Sequence, residues 1–206
     1  GSLASGETSL ITSRHRSFTS FGSQAESVLH YNPYNHEVTF SYKPTPTSDR
    51  WVGTVSLSAT PTVTGTDTND SSVLYPQWRN GTLYYLSGGS VVRMGKPFSA
   101  TIYAGFAESF DTTPDGTQIV MTVAKQLWLI NSDGSNREQI TNTSAANWAA
   151  VWRPDGRAIV FLSDRENPGY VHEMDIRTRR VRTLVRPTDP GRIPGFVRRT
   201  PLGAHE

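Results

Sequence analysis

Apolar and polar residues alternate along this chain in short runs, and the runs are separated by Gly, Pro, Asn and Asp. A period of two sends successive side chains to opposite faces, which is the pattern of a strand. The wider spacing of an amphipathic helix is nearly absent. Ala158-Ile159-Val160-Phe161-Leu162-Ser163 and Ile119-Val120-Met121 are continuously apolar. Such runs predict strands buried on both faces.

The runs repeat. Trp152-Arg153-Pro154-Asp155-Gly156-Arg157-Ala158-Ile159-Val160-Phe161 has a second copy in Thr113-Pro114-Asp115-Gly116-Thr117-Gln118-Ile119-Val120-Met121. A degenerate copy is Trp78-Arg79-Asn80-Gly81-Thr82-Leu83-Tyr84-Tyr85-Leu86, and a remoter one runs from Asn32 through Pro33, Asn35 and His36 to Phe40. The turns lie about 35 to 45 residues apart, the length of a four-stranded propeller blade. Pro sets φ, Asp bonds the backbone and Gly accepts positive φ, so Pro-Asp-Gly is a tight turn.

The runs fall into groups of four. Strands are expected at 27–32, 37–42, 51–58 and 60–64, then at 73–78, 82–86, 90–94 and 100–104. Further groups are 108–112, 118–123, 126–131 and 138–142, then 149–152, 158–163, 170–175 and 180–185. The expected fold is all-β, a single β-propeller domain over residues 1–206. It has four to five blades of four antiparallel strands, at roughly 27–66, 73–106, 108–144 and 148–186. Ser9-Leu10-Ile11-Thr12-Ser13-Arg14 matches the second-strand pattern, and Phe196-Val197-Arg198-Arg199-Thr200-Pro201-Leu202-Gly203 matches an inner strand and its turn. Pairing of the termini, 8–22 with 192–203, would close a ring and remove sheet edges. A fragment of a larger ring and a ring completed by two chains are the alternatives.

Composition agrees with this. Ser and Thr make up about a fifth of the chain, above ordinary usage, and 17 Gly with 13 Pro supply turns. Cysteine is absent, so disulfides, thiolate nucleophiles and Cys-ligated metals are excluded. No apolar run reaches the length of a membrane-spanning helix. Net charge is +2, unevenly spread: Arg177, Arg179, Arg180, Arg182, Arg186, Arg192, Arg198 and Arg199 face only Asp189 and Glu206 in the same segment. This basic stretch suits an acidic protein partner. No aromatic stacking pattern accompanies it, so nucleic acid is not expected.

The stretch Gln126-Leu127-Trp128-Leu129-Ile130-Asn131-Ser132-Asp133-Gly134-Ser135-Asn136-Arg137-Glu138-Gln139-Ile140-Thr141, followed by Val151 to Arg165, resembles the TolB-like propeller repeat family over roughly 109–185. The resemblance implies a propeller and an extracytoplasmic home, periplasmic or extracellular. In that family such repeats build periplasmic scaffolds and also the propeller that gates prolyl oligopeptidase-type hydrolases. The additional N-terminal α/β domain of TolB itself has no match here.

Catalytic motifs are missing. Gly88-Gly89-Ser90-Val91-Val92 lacks the last Gly of a nucleophile elbow. His15, His30, His36, His172 and His205 are scattered, and Asp67-Thr68-Asn69-Asp70 lacks the Gly and distal Glu of a calcium loop, so it reads as a solvated connection. Glu37, Glu108, Asp111, Glu173 and Asp175 are carboxylates able to approach a propeller axis, but an acid pair of glycosidase type is not specified by their spacing. The chain is therefore expected to be non-catalytic and to need no cofactor. Its expected role is a protein-binding scaffold working through its loop face. Glycan binding and membership in a larger extracytoplasmic hydrolase are the alternatives. The candidate ligand-binding residues are Trp148 with Asn147, at the entry to an inner strand, and Arg177, Arg179, Arg180 and Arg182. Trp128 and Trp152 lie in strand-like runs and are expected to pack between blades.

Overall fold

The computed structural model describes residues 30–32, 36–43, 47, 49–58, 63–95, 99–165 and 170–185. These residues contain sixteen strands and no helix. The strands form four antiparallel sheets of four, each in chain order. The first sheet holds β1 (His30–Asn32), β2 (Glu37–Tyr42), β3 (Arg50–Ser56) and β4 (Val63–Asp70). The second holds β5 (Val73–Arg79), β6 (Thr82–Ser87), β7 (Ser90–Arg93) and β8 (Ala100–Tyr103). The third holds β9 (Ser109–Thr112), β10 (Gln118–Val123), β11 (Gln126–Asn131) and β12 (Glu138–Gln139). The fourth holds β13 (Asn147–Trp152), β14 (Ala158–Ser163), β15 (Tyr170–Asp175) and β16 (Val181–Val185). This meander is the connectivity of a propeller blade. The segments 8–22 and 192–203, expected to share a closing blade, lie outside the described residues.

Backbone packing divides the described residues into two compact units, one up to Pro76 and one from Gln77 onward. In the first unit, Phe40, Tyr42 and Val55 form a small core with Trp51 packed on it. Gly53 pairs with Phe40 across β2 and β3, and a Cβ on Gly53 would run into the Phe40 ring. The strand expected at 60–64 is instead β4, which extends to Asp70 and takes in Asp67-Thr68-Asn69-Asp70. β4 is an edge strand with one neighbour, so its side chains are largely solvated and its composition imitates a loop. Arg50 pairs with Asp70 and Trp51 with Asp67 across a bulge.

In the second unit the core lies between the third and fourth sheets. Val120, Leu127 and Leu129 pack against Ala150, Trp152, Ile159, Phe161 and Met174. Trp152 is 7% exposed, in keeping with a wedge between sheets. β12 is shorter than the expected 138–142 strand. Its ladder is continued by a side chain: the Leu127 amide donates to the Thr141 hydroxyl at 2.8 Å, while Leu127 O accepts from both Ile140 N and Thr141 N.

Inner strands are tied to one another by buried polar groups. The Gln77 amide donates to Phe110 O at 3.0 Å and accepts from Thr112 N at 3.3 Å, so one side chain imitates a strand edge. Arg79, 7% exposed, donates to Thr112 O at 3.3 Å and pairs with Asp111 at 3.4 Å. The other Asp111 oxygen accepts from Trp152 N at 2.7 Å. Buried polar groups of this kind must be satisfied, and here each satisfies the next sheet.

Candidate functional site

The third and fourth sheets have two distinguishable ends. At one, the turn end, β9 runs into β10 and β13 into β14 through the Pro-Asp-Gly turns, with Gly116 and Gly156 at φ of 75° and 66°. At the other, the entry end, β9 and β13 begin. There Ala107 N donates to Gly89 O, Glu108 N to Thr122 O and Asn147 N to Lys125 O, so each strand entry is pinned to the β6–β7 or β10–β11 region beside it.

Asn147 is the strut of the entry end. Its amide nitrogen reaches Gln126 Oε1 at 3.3 Å and Ala145 O at 3.0 Å, and its oxygen accepts from Arg165 at 2.8 Å. Arg165 lies over the Phe161 ring at 5.4 Å. Asn147 is fully buried, so it positions its neighbours and offers no surface of its own. Trp148 is half-buried and opposite Leu162. The next residue, Ala149, has a φ of 52°, and the register shifts between Trp148 and Val151. Tyr75 in β5 has a φ of 51° at the corresponding place ahead of Trp78. A bulge re-aims side chains, and it sits here next to the candidate aromatic.

Phe106 was not singled out from the sequence, yet it is 72% exposed at the same end. Its backbone is fixed between the Gly89 contact and the inner strand, and a Cβ on Gly89 would meet the Phe106 ring at 2.9 Å. The signal was available: Phe106 lies in Ala104-Gly105-Phe106-Ala107, a large ring among small residues outside any strand.

The arginines are elsewhere. Arg177 and Arg179 lie in the β15–β16 connection at the turn end, Arg180 at its exit and Arg182 on β16. Ile176 N bonds Arg157 O, which fixes that connection beside the Pro154-Asp155-Gly156 turn. β13 and β16 stand at opposite edges of one sheet, three strand spacings or about 14 Å apart. The structure therefore keeps Trp148 and the arginines at separate places. Arg179 pairs with Glu138 at 2.7 Å, and Arg182 pairs with Glu173 at 2.8 Å. Arg177 and Arg180 form no ion pair among the described residues.

The carboxylates have structural partners. Asp111 is buried against Arg79, Glu173 holds Arg153 and Arg182, and Glu108 accepts from Lys125 N at 3.2 Å. Asp175 accepts from the amide and hydroxyl of Thr178. A shallow cleft of about 240 Å³ lies at the turn end between Pro114 and Asp115 on one side and Pro154, Asp155 and Gly156 on the other. Asp115 there is occupied by Thr113 and Thr117 hydroxyls, and Asp155 by Arg153. Among the described residues no three His, Asp or Glu side chains converge as a metal site would require. No helix among them is long and apolar enough to cross a membrane.

No family model matches this chain. A TolB from Acinetobacter baumannii is similar over 78% of this chain and 41% of its own, at 17% identity and a TM-score of 0.54. A structure from Agrobacterium tumefaciens described as a TolB matches over 74% of this chain and 62% of its own, at 21% identity and a TM-score of 0.57. The fold is a TolB-like propeller fold. A puromycin-hydrolyzing peptidase of Mycobacterium tuberculosis shares it, at 16% identity over 77% of this chain and 28% of that chain, with a TM-score of 0.54. In sequence, dipeptidyl-peptidase 5 of Porphyromonas gingivalis is 36% identical over 62 residues, 25% of this chain and 9% of that protein. The chain thus spans less than two thirds of each of these proteins. The TolB-like fold is common to proteins with and without a named hydrolase activity, so the fold alone assigns none.

Proposed function

We propose that this chain is a non-catalytic protein-binding scaffold, at work in the periplasm or outside the cell, that engages its partner through the entry end of the unit from Gln77 onward. The observation that carries this reading is Phe106: a 72% exposed aromatic whose following residue, Ala107, is held by a hydrogen bond to Gly89 O. A large exposed ring that loses little freedom on docking is the kind of anchor that dominates interfaces. Half-buried Trp148 lies at the same end, beside Asn147, which Arg165 holds in place. The carboxylates at either end are committed to turns or ion pairs, which supports binding over turnover.

The test places a photo-crosslinking amino acid at position 148 and exposes the protein to envelope and secreted fractions of its source. One protein crosslinked from 148 and lost with Phe106→Ser supports the reading. Labelling from 148 no different from that at exposed Asp155, or unchanged by Phe106→Ser, rejects it. Quenching of tryptophan fluorescence by soluble glycans, with no protein captured, would favour a lectin-like role.

The stretch shared with dipeptidyl-peptidase 5 favours a second reading, in which the chain is the propeller portion of a larger extracytoplasmic hydrolase. Reading the adjoining coding sequence for a hydrolase domain decides between the two.

A further inference from the structure

β8 and β12, the outer strands of the second and third sheets, each have a turn of the following sheet laid against them. Gly134 of the β11–β12 turn lies against Ile102 of β8, and Arg179 of the β15–β16 turn bonds Glu138 of β12. β16 is the outer strand of the fourth sheet, and it is exposed at Val181 (36%), Leu184 (41%), Arg180 and Arg182. Arg177 and Arg180 flank its start without an ion pair among the described residues; of the two carboxylates on β15, Glu173 is shared by Arg153 and Arg182, and Asp175 is taken up by the Thr178 amide and hydroxyl with the Arg177 charge nearby. A strand edge offers unpaired backbone donors and acceptors to any extended segment. Its own arginines repel a second identical edge and attract a segment of opposite charge.

We propose that the β16 edge is a second interaction surface, which takes an extended acidic segment of a partner protein as an added strand. Backbone pairing with β16 would supply register. Carboxylates on alternate residues would meet Arg177 and Arg180, and small apolar side chains between them would cover Val181 and Leu184. This surface is independent of the Phe106 face, so its failure leaves the scaffold reading intact.

The probe is a short capped peptide alternating glutamate and valine, labelled for fluorescence anisotropy and titrated into the whole chain. Expected are saturable binding that weakens with added salt, and slowed amide exchange confined to 181–185 and the peptide. The double variant Arg177→Glu/Arg180→Glu, checked for an unchanged melting temperature because the Arg177 charge also acts on Asp175, should weaken binding about tenfold or more, since each charge reversal replaces attraction with repulsion. An N-methylated peptide, which cannot pair along its backbone, should lose binding. Equal affinity for the N-methylated or a lysine–valine peptide, unchanged affinity of the double variant, or no binding at millimolar peptide overturns the proposal. Protection of 181–185 that appears with protein concentration alone would name a second copy as the occupant and also overturn it.

Discussion

Asp111 joins three inner strands through one carboxylate, with Arg79 of β5 on one oxygen and the Trp152 amide of β13 on the other. Removing it would leave the buried Arg79 guanidinium without its counter-charge and the buried Trp152 amide without its acceptor. Breaking a buried pair from one side costs about 3–5 kcal/mol. Asp111→Ala should therefore lower the urea-unfolding free energy by that amount, and Asp111→Asn by less. A loss below about 1 kcal/mol would mean that water replaces the carboxylate. Phe106→Ser, by contrast, removes an exposed ring and should change stability by no more than about 0.5 kcal/mol. The sequence marked Asp111 only as a carboxylate near a propeller axis. Its partner stands 32 positions earlier, and nothing local reports a pairing across sheets. Trp152 packs in the core between the third and fourth sheets as its strand-like run predicts, whereas Trp128 on β11 is only half-buried, outside that core, under the Arg137 guanidinium. Phe106 was not readable, because a loop has no periodicity to violate.

At the scale of the element, the legible parts are those with a local cause. Pro-Asp-Gly turns and apolar runs locate β10 and β14 to the residue, because turn chemistry and two-sided burial both act within a few positions. β4 was truncated in the reading because Gly, Asp and Asn on a solvated edge look like a loop. The β10–β11 hairpin is the reverse case: Ala124 and Lys125 occupy the two left-handed positions at φ of 49° and 60°, where Asn-Gly is usual. Left-handed backbone costs a residue with a Cβ about 1–2 kcal/mol. Lys125→Gly should thus raise stability by about 1 kcal/mol and the melting temperature by about 2–4 °C. An unchanged or lower melting temperature would show that the Lys125 side chain compensates. In the first unit the sign is opposite. A Cβ at Gly53 enters the space of the Phe40 ring, so Gly53→Ala should destabilise by about 1–3 kcal/mol. Urea unfolding followed by the fluorescence of Trp51, which packs on that core, would report it.

Across the molecule, aspartates gather in the turns of the turn end, and Arg177 and Arg179 lie among them in the β15–β16 connection. Three of those aspartates are held below the usual carboxylate range by the turns they close. For Asp115 the Thr113 hydroxyl is the main cause, for Asp133 the Ser135 hydroxyl, and for Asp175 the Thr178 amide. An ionised carboxylate accepts these bonds better than a protonated one. A folded-state pKa below the unfolded value of 3.8 means that the unfolded chain binds more protons in the interval between them. The stability these turns contribute is therefore fully present above about pH 4 and is lost as pH falls through the folded-state values. Unfolding free energy measured by urea at stepped pH should be flat in this respect from pH 7 to about 5 and then decline. In the triple variant Asp115→Asn/Asp133→Asn/Asp175→Asn the decline should be shallower, because those sites no longer titrate. The neutral-pH stability of the variant should fall at the same time, since an amide oxygen is the weaker acceptor. Parallel curves for the two proteins below pH 4 would show that these three turns do not set the acid sensitivity.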